Sequence, residues 1–137
     1  LENKTLQEGL RMILKELTDK SNIRVVYKDM VKKVPKRIED NLFRIAQEFI
    51  SNTLKHAKAS QIEVYLYQNS QEIQLKMLDN GVGFDLNAST DEMSYGLKNI
   101  QERVDEMAGT VQFLSTKGKG TSIDVRVPIL RGEDNVE

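Results

Sequence analysis

The stretch "LDNGVGFD", Leu78–Asp85, places an Asn-Gly pair directly after an apolar run. Asn-Gly between strands is a strong hairpin signal, because both residues tolerate positive φ. A hairpin would need a second strand from about Val82. The chain continues instead as "GFDLNASTDEMSYG", a polar run without alternation, so the pair reads better as the bend from a strand ending at Asp79 into a loop.

Working outward from that strand, "SQIEVYLYQNSQEIQLKMLD" holds two period-2 runs, Ile62/Val64/Leu66 and Ile73/Leu75/Met77, joined at "QNSQ". This is the true hairpin. Ahead of it, after Pro35, a helical pattern runs from about Ile38 to Ala57, with Leu42, Ile45, Ala46, Phe49, Ile50 and Leu54 on a broad apolar face. "IRVVYKD", Ile23–Asp29, is short and β-branched with charged flanks and Pro35 beyond it, which predicts an edge strand. Leu6, Leu10, Ile13, Leu14 and Leu17 predict an N-terminal helix of about five turns, ended by "TDKSN". Beyond the loop, Leu97, Ile100, Val104 and Met107 recur at helical spacing, giving a helix from about Tyr95 to Ala108 with Ser94 as N-cap and Gly109 as stop. "TVQFLS" and "TSIDVRVP" then form a second hairpin through "KGKG". The order α β α β β (loop) α β β predicts an α+β fold, a two-layer sandwich in which helices cover one face of a mixed, mainly antiparallel sheet.

The chain has 137 residues, 39% hydrophobic and 30% charged, which suits one globular domain and argues against disorder. A net charge of -1 gives no footprint for wrapping a polyanion, so no nucleic-acid partner is expected. The absence of cysteine excludes a disulfide framework, a thiolate metal site and a cysteine nucleophile. No segment approaches the roughly 18 apolar residues of a membrane span. The chain begins at Leu1 without an initiator Met. That suggests a piece of a longer protein whose upstream part can hold a membrane anchor.

Three places carry chemistry. On the central helix, Glu48, Asn52 and Lys55 fall on a narrow stripe beside the apolar face, with His56 near them. A carboxylate and an amide one turn apart offer hard oxygen ligands for Mg²⁺, and lysine offers a point charge to phosphates. Alone, the pattern is also that of a solvated helix edge, and His56 that of a rim histidine. In the opening stretch, Asp79 closes a buried strand, and Gly81 and Gly83 let backbone approach a flat ligand whose amino group the carboxylate accepts. A calcium-loop reading fails for want of further ligands. In "SYGLKNIQERV", Gly96 sits near a helix start, where free N–H groups favour phosphate. "GKGT", Gly118–Thr121, lacks the full phosphate-loop pattern and reads as a turn.

Taken in order, "FRIAQEFISNTLKHA", "LDNGVGF", "SYGLKNIQERV" and "GKGTSIDV" resemble the N box, the two glycine boxes and the closing glycine-threonine element of the GHKL ATPase superfamily. Within it the match is closest to the catalytic ATP-binding domain of sensor histidine kinases, in the subfamily paired with LuxR/NarL-type response regulators. "LENKTLQEGLRMILKEL" and "MAGTVQ" further resemble LiaS/VraS-type cell-envelope stress kinases of Gram-positive bacteria.

The resemblance implies ATP and Mg²⁺ as ligands. Asn52 would hold the metal, with Glu48 supporting its water or acting as a base; Lys55 would approach the phosphates and His56 would sit beside the nucleotide. Asp79 would take the adenine amino group, with Gly81 and Gly83 shaping the pocket and Thr121 contributing through hydroxyl or water. Asp85 to Tyr95 would be the ATP lid, and Gly96, Leu97 and Lys98 would present backbone N–H groups to the phosphates. Residues 1–20 would lead from a dimerisation and phosphoacceptor domain absent from this chain, 21–130 would be the catalytic domain and 131–137 a polar tail. The full-length protein would be a homodimer with this region on the cytoplasmic side of a bacterial plasma membrane; the fragment would be monomeric. The second glycine box has one glycine where many relatives have two or three. A GHKL ATPase, an anti-sigma-factor serine kinase and a nucleotide-free interaction module are the competing readings.

Overall fold

A computed structural model describes residues 1–86 and 91–130. The middle of the expected lid and the 131–137 tail lie outside the described residues. The element order is α1 Leu6–Lys20, β1 Arg24–Met30, α2 Lys36–Asn52, a π turn Thr53–Ala57, β2 Gln61–Gln68, β3 Glu72–Asp79, α3 Asp91–Glu106, β4 Thr110–Thr116 and β5 Gly120–Pro128. The five strands form one sheet in the order β1-β2-β3-β5-β4. β1 pairs parallel with β2 at the edge and the other pairs are antiparallel. This is the expected α+β two-layer arrangement.

The sheet buries alternate residues because one of its faces is covered. Ile62, Val64 and Leu66, then Ile73, Leu75 and Met77, then Ile123, Val125 and Val127 are all buried, while the residues between them reach solvent. α1 packs on β1, α2 on β3 and α3 on β4. Leu6, Leu10, Leu14 and Leu17 of α1 join the same core as α2 and the sheet. Glu39 of α2 accepts the Leu6 N–H at 2.7 Å, so the first helix is tied to the central one at its start. The hairpin at "QNSQ" closes as an Asx turn, with Asn69 Oδ1 accepting from the N–H groups of Gln71 and Glu72.

Three expectations need correction. The central helix does not run regularly to Ala57; its last turn is π, and Leu54, expected on the apolar face, is 54% exposed at a groove it shares with Ile13, Leu17 and Ile50. Ser94 is not an N-cap, because α3 already begins at Asp91. Gly109 is not the left-handed stop: Ala108 takes that conformation at φ 55°, and the Gly109 N–H returns to the Val104 carbonyl at 3.0 Å.

Candidate functional site

The site grows from the end of β3. Asp79 pairs across the sheet with Ile62 on one side and Thr121 on the other, and its side chain turns under α2, where it is 8% exposed. A carboxylate buried that deeply needs donors. It has three: Gly81 N–H and Thr121 N–H donate to Oδ1 at 2.9 and 3.2 Å, and the Thr53 hydroxyl donates to Oδ2 at 3.0 Å. Strand β3, strand β5 and the π turn therefore converge on one side chain.

Asn80-Gly81 makes no hairpin turn. Neither residue has positive φ. Asn80 Oδ1 accepts the N–H groups of Ser60 and Gln61, both at 2.9 Å, and its Nδ2 donates to Ser60 Oγ at 2.8 Å. The asparagine thus latches the exit of β3 to the entry of β2. The next residues run in a tight channel: Val82 N–H donates to the Ala57 carbonyl and Val82 O accepts from Gly118 N–H, each at 2.6 Å. A Cβ on Gly81 would lie 2.2 Å from Ala57 O, and one on Gly83, whose φ is +64°, would lie 2.1 Å from Thr116 O. Both glycines are required by this close approach.

Two concavities flank the end of α2. A small, largely apolar cavity of about 70 Å³ is lined by Phe49, Thr53, His56, Asp79, Phe84 and Leu97, with Asn52, Gly83 and Thr121 also on its wall. A larger open cleft of about 670 Å³ lies between α2 and α3 and includes Glu48, Asn52, Lys55, Tyr95 and Gly96, with Arg44 and Arg103 toward its other end. Asn52 borders both. Gly96 is buried against the stripe: a Cβ there would lie 2.9 Å from Glu48 Oε2 and 3.2 Å from Asn52 Nδ2.

The structure thus brings Glu48, Asn52, Lys55 and Gly96 to one cleft and Asn52, His56, Asp79, Gly83, Leu97 and Thr121 to the other. Gly81 stands behind Asp79 as a donor. Lys98 faces solvent. Because α3 starts at Asp91, the N–H groups of Gly96, Leu97 and Lys98 fall beyond the first turn, inside the helix's own ladder. What Gly96 provides here is room. The Thr121 hydroxyl lies 2.8 Å from Ser115 Oγ, which also accepts the Phe84 N–H at 2.9 Å.

Thr53 is the main site residue that the sequence pattern did not single out. The signal was present: it stands four residues after Phe49 and seven after Ala46, a polar residue on an apolar stripe. Phe84 carried no signal, since it follows the loop entry without periodicity.

The chain belongs to the family described as histidine kinase-, DNA gyrase B-, and HSP90-like ATPases, whose model matches residues 37–131. Its relatives include the sensor protein VraS of Staphylococcus haemolyticus, 41% identical over 135 residues, 98% of this chain and 38% of that protein. The sensor histidine kinase LiaS of Bacillus subtilis is 41% identical over 133 residues, 97% of this chain and 37% of that one. The chain therefore spans less than two fifths of these relatives' length. In fold it is similar to the histidine kinase domain of the Erythrobacter litoralis EL346 blue-light activated kinase, with TM-score 0.72 over 96% of this chain and 64% of that one at 17% identity. The Acinetobacter baumannii histidine kinase AdeS gives 0.68 over 90% of this chain and 64% of that one, at 16% identity. Among the described residues no helix is long and apolar enough to cross a membrane.

Proposed function

We propose that this chain holds ATP with Mg²⁺ and orients the terminal phosphate for transfer to a histidine on a dimerisation and phosphoacceptor domain outside it, from which a LuxR/NarL-type response regulator is phosphorylated. The observation that carries the reading is the position of Asn52 between an apolar cavity floored by a fixed carboxylate and an open polar cleft. Adenine suits the first, with its amino group on Asp79 and Phe84 and Leu97 against its faces. The phosphates suit the second, beside Lys55.

The donor set fits a nucleotide-borne metal. Among the described residues no cluster of three acidic or histidine side chains could cage a cation, but Mg²⁺ takes one or two protein oxygens and completes its shell with water and phosphate. Asn52 and Glu48 would supply those oxygens, and the bound ion would neutralise phosphate charge in a transfer governed by positioning. The names of the relatives, a sensor protein and a sensor histidine kinase, support a signalling role; to that the reading adds envelope stress as the signal, a membrane-anchored, homodimeric full-length protein, and this region, monomeric by itself, on the cytoplasmic side.

Calorimetry tests the reading. ATP binding should require Mg²⁺, Asp79→Asn should abolish the heat, and Asn52→Ala should remove the metal dependence. Neither heat nor thermal shift at millimolar nucleotide would overturn it. The place of Glu48 beside Asn52 favours one second reading, water activation for ATP hydrolysis or transfer to a protein serine. Phosphate release, or serine phosphorylation, by this chain alone separates the two.

A further inference from the structure

The hydrogen-bond accounting at Asp79 leads beyond adenine binding to its selectivity. Asp79 Oδ1 is filled by two backbone donors, Gly81 N–H and Thr121 N–H. Those amides belong to the backbone leaving β3 and to β5, so no substitution at a side chain removes them. Oδ2 holds one donor, the Thr53 hydroxyl at 3.0 Å. A carboxylate oxygen accommodates about two donors, so one further position remains on Oδ2.

Thr53 directs its single proton to Asp79, and the Thr121 hydroxyl and Ser115 Oγ share a hydrogen bond at 2.8 Å. At its Asp79 end the wall therefore offers an acceptor. Such a wall pairs with a 6-amino purine and sets a carboxylate against the carbonyl of a 6-oxo purine, an arrangement that leaves a buried acceptor without a donor.

Thr53 stands at the entry of the π turn, still in phase with Phe49 and Ala46. Its own N–H lies at the junction, shared between the Ile50 and Phe49 carbonyls, and the residue is 2% exposed. Such turns recur at functional sites, where the extra residue re-aims side chains.

We infer that Thr53 is a positioning and specificity-determining residue: through Asp79 it sets the preference for 6-amino over 6-oxo purine nucleotides. The inference rests on the nucleotide reading above. Removing the hydroxyl leaves Oδ2 without the donor that orients it toward the cavity, and the weaker hydrogen bond it then makes to the amino group lowers affinity about tenfold.

The test measures Kd for ATP and for ITP, each with Mg²⁺, in the wild-type chain, Thr53→Val, Thr53→Ala and Thr53→Ser. Valine keeps the β-branched shape, and alanine serves if valine does not fold. The expected result is an ATP:ITP preference reduced about tenfold in T53V or T53A and restored to within about twofold in T53S. A packing defect would weaken both nucleotides alike and leave the ratio unchanged, and that outcome overturns the inference. If T53V keeps wild-type affinity for ATP, it is overturned as well. Wild-type protein that binds neither nucleotide overturns the nucleotide reading and this inference together, so the two failures are distinguishable.

Discussion

Gly96 of α3 lies directly against Glu48 of α2, close enough that a Cβ on the glycine would stand 2.9 Å from Glu48 Oε2. The neighbour that must yield is the far end of a flexible side chain. Gly96→Ala should therefore leave the nucleotide-free domain as stable as before or slightly more so, because alanine in a helix interior is favoured over glycine by about 1 kcal/mol. The displaced Glu48 and Asn52 should lose about tenfold in Mg-ATP affinity. Melting curves with and without Mg-ATP check this, and unchanged affinity would refute it.

The glycines of the β4–β5 turn provide an internal control. Gly118 has φ +82° with no atom within 4 Å of a Cβ, whereas Gly120 has φ +90° and a Cβ there would meet Asp79 O at 2.1 Å. Gly118→Ala should lose about 1–2 kcal/mol for the left-handed backbone alone. Gly120→Ala should lose at least about 3 kcal/mol, since backbone must move. Urea unfolding gives both values, and equal losses would contradict the close approach.

Asn80 serves the fold through the hydrogen bonds of its side chain to Ser60 and Gln61. Its position is solvent-facing, so water replaces part of what is lost, and Asn80→Ala should destabilise by about 1–2 kcal/mol. Asn80→Asp keeps the acceptor for both N–H groups and should recover most of it. ATP affinity, measured where each variant is folded, should stay within about twofold of wild type.

The start of α1 should respond to acid. Glu8 accepts the Thr5 N–H at 2.9 Å while the Thr5 hydroxyl accepts the Glu8 N–H at 3.1 Å, a reciprocal capping box. The bonds to Thr5 hold the Glu8 carboxyl below its ordinary value near 4.5. Its folded pKa is thus depressed relative to the unfolded chain, so its contribution is complete above about pH 4.5 and fades as pH falls through the folded value. Amide exchange at the first turn of α1 should rise below that pH in wild type, and Glu8→Gln should flatten the dependence.

Strands and helices were legible wherever burial imposed a period. The alternation from Ile62 to Leu66 and from Ile73 to Met77 matched the buried set, because a strand covered on one face leaves no other arrangement. Helix ends were less legible. Ser94 looked like a cap and Gly109 like a stop, but α3 already begins at Asp91 and the left-handed residue after it is Ala108. At the site, residue types were readable and orientations were not: Asp79 and Asn52 stand where expected, but the donors to Asp79 come partly from backbone, which has no sequence signature. At the π turn polarity misled: the α period puts Thr53 on the stripe of Ala46 and Phe49, where it is buried, while the apolar Leu54 is exposed.

That turn has a further consequence for how this helix tolerates change in length. Upstream of Asn52 the chain follows one angular phase, and downstream of it another, so Glu48 and His56 are held by two separate registers on one helix. A π turn spends about one residue more than an α turn on the same arc. Removing a single residue between 53 and 57 would therefore restore the regular phase and keep Ala57 near Val82, whereas winding all five residues as α would swing Ala57 away; the Glu48–Asn52 stripe stays in place in either case. Substitutions tune this site, but the spacing between its halves depends on one extra residue.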